Sequence, residues 1–89
     1  MELKDTIELM NSADYKDSFK AEYYQLKIRY EKLHNMLIKY HAGLQNGDVS
    51  KYLGFEPKCS ISVLASQEMY MKQYLDQLSI RAEIEGIVL

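Results

Sequence analysis

Among 89 residues there are one cysteine, one proline and four glycines, and each scarcity excludes something. A lone Cys59 rules out an intramolecular disulfide and a thiolate zinc cage, and suits a reducing cytosol. The single proline, Pro57, blocks helix at one point in the chain. No stretch approaches the roughly 18 uninterrupted apolar residues of a membrane span. The segment "MELKDTIELM" places acids where a signal peptide carries a basic region. Glycine-rich phosphate loops are missing, because "GLQNG" and "LGFEPK" lack the Walker lysine and hydroxyl. There are no internal repeats and no low-complexity tracts. A large basic excess is also absent: the net charge is −2 and the pI about 5.6, which argues against bulk DNA coating.

What is present is apolar content of 47% against 27% charged, the balance of one small folded domain. Charge is unevenly spread. Residues 1–14 set Lys4 against Glu2, Asp5, Glu8 and Asp14, a net −3. Residues 15–41 set Lys16, Lys20, Lys27, Arg29, Lys32 and Lys39 against Asp17, Glu22 and Glu31, a net +3. The basic segment leaves room for one small anionic ligand.

The strongest pattern is a heptad seam. Phe19, Tyr23, Leu26, Tyr30, Leu33, Leu37, Tyr40 and Leu44 recur at alternating steps of four and three, the stripe of a long helix. The spacing predicts a helix over residues 13–42, capped by Ser12 or Asp14 and stopped near Gly43. Residues 43–59 read as a connection, with "QNGD" a turn signal and Val49, Tyr52, Leu53 and Phe55 folding a short turn over the hairpin's end. A second helix is expected over residues 60–85, capped by Ser60 and terminated by Gly86. Its stripe is Ile61, Leu64, Met71, Leu75, Leu78 and Ala82, interrupted by Glu68. A short helical arm over residues 3–11 precedes, and "IVL" follows as an apolar tail over residues 86–89. The fold class is therefore all-α: an antiparallel helical hairpin with an N-terminal helical arm.

Two helices leave surplus apolar residues off the seam: Ile28, Met36, Ile38, Met69, Ile84 and the tail. Each buried large side chain contributes about 1.5–3 kcal/mol, against roughly 100 kcal/mol of conformational entropy for a chain of this size. A lone hairpin is marginal. Self-association into a dimer or higher oligomer, a hexamer included, would cover the surplus. So would an arm and tail folded back over a monomer.

No catalytic constellation is found, and no cofactor or metal is expected. His34 and His41 lie seven apart without further ligands at helical spacing, and read as solvated or interfacial. Cys59 has no histidine in register and reads as an inert cap residue. Glu83 and Glu85 look like helix surface. The chain is not expected to be an enzyme.

The stretch "SADYKDSFKAEYYQLKIRY" interleaves rings and cations. Phe19, Tyr23, Leu26 and Tyr30 belong to the seam. Lys16, Lys20 and Lys27 fall on a neighbouring face with Tyr24, and Tyr15 stands at the helix start. A ring that stacks a base, beside lysines and terminal amides that take phosphate, suits a nucleotide. A solvated amphipathic face is the other reading.

Two motifs bear on that choice. "EYYQLKIRYEKL" carries Leu26, Arg29, Lys32 and Leu33 as L-x-x-R-x-x-K-L. "QEMYMKQYLDQLSIR" carries Gln67, Met71, Tyr74, Leu75, Leu78 and Arg81 as Q-x-x-x-M-x-x-Y-L-x-x-L-x-x-R. Together they resemble a group of very small phage and prophage proteins built as one helical hairpin. That group is similar in architecture to phage sponges that sequester the cyclic-nucleotide alarm signals of CBASS and Thoeris immunity.

The resemblance implies an immune-evasion protein of the infected bacterial cytoplasm. It would assemble as a multimer, bind a cyclic nucleotide or cyclic ADP-ribose product between protomers, and break no bond. Such sponges stack a purine on an aromatic near the hairpin's start and hold phosphate with a lysine. With no Gly-Tyr-Arg entry here, Tyr15 and the Lys16, Lys20, Lys27 set stand in those places. Arg29 and Arg81 lie in the motif pair, either as a phosphate clamp or in salt bridges with Glu68, Asp76 or Glu22. A protein–protein inhibitor of a host defence system, anti-CRISPR-like, and a plain oligomeric helical scaffold are the alternatives.

Overall fold

A computed structural model describes residues 1–89, all of them helix, turn or loop. After a 3-10 turn over Leu3–Asp5 come α1 (Thr6–Met10), α2 (Tyr15–Asn46), α3 (Val49–Leu53) and α4 (Ile61–Glu85). The chain is thus all-α, built on a long helix pair.

Local chemistry sets the ends of the long helices. The Asp14 side chain accepts from the Lys16 amide at 2.8 Å, and Ser12 Oγ in turn accepts from the Asp14 amide at 3.1 Å. Ser60 Oγ accepts from the Val63 amide, capping α4. The first long helix does not stop at residue 42. It runs to Asn46, and Gly47 makes the left-handed exit at φ 75°. The Asp48 amide then donates to Gly43 O and the Gly47 amide to Leu44 O, the paired bonds of a Schellman motif.

Gly43 has a different role. A Cβ there would sit 2.6 Å from Val49 Cα and 3.1 Å from Asp48 O, so the missing side chain is what lets α3 close onto α2. Gly43→Ala is therefore expected to destabilise by about 1–3 kcal/mol, because the neighbour is backbone and yields only by shifting α3. A urea melt decides it. A variant as stable as the parent would mean α3 does not hold this position.

α2 is the spine. On its front, α4 packs antiparallel along the seam: Tyr15 meets Glu85, Glu22 meets Tyr74 and His34 meets Glu68. On its back, α1 packs near Ala21 and Gln25. There Thr6 is buried but satisfied, donating to Leu3 O at 2.6 Å and accepting from Gln25 Nε2 at 3.0 Å. Further along the back lies α3. Glu68, which breaks the apolar stripe of α4, finds His34 Nδ1 at 3.1 Å across the hairpin, with Tyr30 stacked on the same imidazole.

The core is thin. Phe19, Leu78, Ala82 and Ile87 form its centre, with Tyr23 and Leu26 packed against it. The apolar tail over residues 86–89 begins by folding back onto the hairpin at Ile87. Gly86 turns left-handed at φ 70°, the Ile87 amide donates to Ala82 O at 2.9 Å, and the Ile87 side chain drops into the core. Val88 beyond it stays 82% exposed. Leu44, the last seam residue by spacing, is also exposed, because α4 ends its contact before reaching it. The molecule measures 49 × 24 × 18 Å with a radius of gyration of 16.1 Å, against about 12 Å for a compact chain of this length.

Candidate functional site

The antiparallel pairing brings the start of α2 and the end of α4 together, and with them two candidate residues. The Tyr15 hydroxyl donates to Glu85 Oε1 at 2.7 Å and accepts from Arg81 Nη2 at 2.8 Å. Arg81 Nε reaches Glu85 Oε2 at 3.3 Å, and its guanidinium lies 5.1 Å over the Phe19 ring. Arg81 therefore pairs within its own helix, whereas Glu68, Asp76 and Glu22 are taken by His34, Lys72 and Tyr74. Glu85, which reads as plain surface in the sequence, is the group that ties this cluster. The i,i+4 step from Arg81 is the signal that marks it.

By accepting the hydrogen bond of the Tyr15 hydroxyl, Glu85 raises the phenol's pKa above its ordinary value. Partial desolvation adds to this, and the charge of Arg81 opposes it. Arg81 is raised too, chiefly by attraction to the phenolate Tyr15 becomes when ionised. A raised folded-state pKa stabilises the fold below the unfolded value, about 10 for tyrosine, and that stability is lost as pH rises through the folded value. Tyr15→Phe is accordingly expected to lose less stability than the parent between neutral pH and about pH 11, measured by urea melts. Parallel curves for the two proteins would show that the hydroxyl is not held as described.

The other candidates do not join this cluster within one subunit. Glu22 and Arg29 share a face at a step of seven, on the flank where Tyr74 and Tyr15 make their bonds. Lys20, Lys27 and His34 also follow at steps of seven, on the flank marked by the His34–Glu68 pair, and Lys16 falls beside them. Tyr24 lies further round, edge-on to Tyr23 at 5.2 Å. Tyr15 and Lys16, neighbours in sequence, thus diverge to opposite edges of the α2–α4 seam.

The surface has four concavities. One lies along α4 between Val63, Tyr70 and Tyr74. A second lies between the arm and α2, a third beside the C-terminus, and a fourth between α2 and α3. None is lined by Tyr15, Lys16, Lys20, Tyr24, Lys27, Arg29 or Arg81. No group of His, Cys, Asp and Glu side chains has the geometry to hold a metal ion, and no helix is long and apolar enough to cross a membrane.

A family model described as Sequestin matches residues 13–84. No curated protein and no solved structure matches the chain.

Proposed function

The chain belongs to the Sequestin family, and from that premise we propose that it is a phage immune-evasion protein that binds a cyclic nucleotide immune signal and withholds it from its effector without cleaving it. The family match carries the reading, since residues 13–84 take in both long helices and the connection between them. The name denotes sequestration, a task that needs binding groups and no catalytic ones. The protein acts in the cytoplasm of the infected bacterial host, as a homo-oligomer. Pockets between protomers fit the placement of the candidate residues: the lysine flank of α2 and the flank with Tyr15, Arg29 and Arg81, each too open in one subunit to enclose a ligand, become walls once a second copy stands opposite. Arginine and lysine there meet phosphate, and Tyr15 offers a ring to a purine.

The test is thermal melting against a panel of cyclic di- and trinucleotides and cyclic ADP-ribose isomers. A ligand at a hundred times its dissociation constant stabilises the fold by about 2.7 kcal/mol, a clear upward shift of the midpoint. In this reading Tyr15→Ala weakens binding far more than Tyr40→Phe. Unmoved curves for the whole panel would sink the sponge. The exposed apolar patch of Val63, Tyr70 and Tyr74 on α4, a second stripe apart from the one that packs on α2, favours one second reading, an inhibitor docked on a host defence protein. In that case no compound shifts the melt, and stripe substitutions alone abolish activity against the host.

A further inference from the structure

A nucleotide site needs a cation for phosphate, a ring face for the base and a concavity to exclude water, and one place within a single subunit combines all three. It lies on the back of α2, where Lys32, Asn35, Met36 and Lys39 face Leu53 of α3 and Phe55 just after it, around a hollow of about 250 Å³. Lys32 and Lys39 are two turns apart, about 10 Å along the axis, so their flexible stems can converge on one phosphate group. Neither has a carboxylate within ion-pair distance, whereas Lys4, Lys72 and Arg81 are each paired. Phe55 is 54% exposed, and Met36 and Leu53 form an apolar floor beside it. The Asn35 amide adds one donor and one acceptor suited to a base edge. The hollow runs on into the larger one between the arm and α2, about 530 Å³, because Lys32 and Asn35 line both. The remaining concavities lack this chemistry: that on α4 has no charged residue, and that by the C-terminus has a glutamate and no cation.

We infer that the groove between α2 and α3 binds a purine nucleotide, with the base stacked on Phe55, its edge at Asn35 and its phosphates on Lys32 and Lys39. This deepens the sponge reading by naming a ligand site complete in one subunit, and it rests on that reading only for the class of ligand. Asn35, Lys39 and Phe55 are exposed, so changing them leaves the core alone.

The experiment is an NMR titration of the whole labelled chain with ADP, with adenosine and pyrophosphate as separate arms. ADP is expected to move the amides of residues 32–39 and 53–55. Adenosine should move mainly those near Phe55, and pyrophosphate mainly those near Lys32 and Lys39. Phe55→Ala and Lys39→Glu should each weaken ADP about tenfold, while Lys72→Gln, exposed on α4 and outside every concavity, changes nothing. Unmoved groove amides at millimolar ADP, or a Phe55→Ala variant that binds as the parent does, overturn the inference. The two proposals fail separately. Groove shifts with ADP and no melting response to any cyclic compound leave the groove and remove the sponge. A cyclic ligand that maps to Tyr15 and Arg81 while the groove stays silent does the reverse.

Discussion

Leu78→Ala is expected to lower the melting midpoint by about 10–30 °C, followed by the helical circular-dichroism signal. Leu78 is 1% exposed and sits where α4 meets Phe19, with Ala82 and Ile87 completing the cluster. Truncating a buried leucine costs about 2–5 kcal/mol, part from lost burial and part from the cavity left behind. A chain of this length has only about 4–13 kcal/mol to lose. The other members of the cluster cannot relax into the gap. Phe19 is held under Arg81, Ala82 has no atoms to spare, and Ile87 is fixed by the bond from its amide to Ala82 O. Ile84→Ala is the control, two positions beyond Ala82 and 78% exposed, and should shift the midpoint by no more than a few degrees. If Leu78→Ala also melts within a few degrees of the parent, the stabilising contacts lie elsewhere, at a surface between copies.

The pair of long helices was legible because the seam is written in residue type. Rings and leucines at steps of four and three leave no other period, and Glu68, the one break in the second stripe, needs a partner that the first helix supplies as His34. The end of α2 was not legible. Gly43 and Gly47 are equivalent as letters, and only the approach of Val49 to within 2.6 Å of a would-be Cβ assigns the first to packing and leaves the second as the stop. The tail shows the same limit. "IVL" is uniformly apolar, and the turn at Gly86 decides that Ile87 enters the core while Val88 does not. For the site, sequence adjacency suggested one cluster of rings and lysines, but the helical step of about 100° per residue separates Tyr15 from Lys16 by most of a flank. Glu85 and Phe55 were missed for a common reason. Glu85 acquires its role from the start of α2, far away in the chain, and Phe55 the role proposed for it from the back face of the same helix.

Val63→Lys combined with Tyr70→Lys is expected to convert the proposed oligomer to a 10.4 kDa monomer, read by light scattering. The chain exposes 6372 Å², where a compact monomer of its mass exposes about 5,400 Å². The excess of about 1,000 Å² is close to the roughly 800 Å² that each partner of a stable complex covers. Part of it forms one stripe: Val63, Tyr70 and Tyr74 recur along α4 at helical spacing, beside a hollow of about 570 Å³ that contains no charged side chain. Like faces of a second copy match such a stripe in kind, and two-fold pairing would double each substitution, so two lysines place four ammonium groups in one apolar seam. Neither Val63 nor Tyr70 is buried in the subunit, and both stand at helical positions lysine accepts, so helix content should hold while the mass falls. Tyr74 is left unchanged because its hydroxyl donates to Glu22 across the hairpin. If the parent is itself a monomer at tens of micromolar, pockets between protomers cannot form, and the stripe passes to a host protein as its partner. If the parent associates and the double variant still does, the copies meet on another face, and the lysine flank of α2 becomes the surface to substitute next.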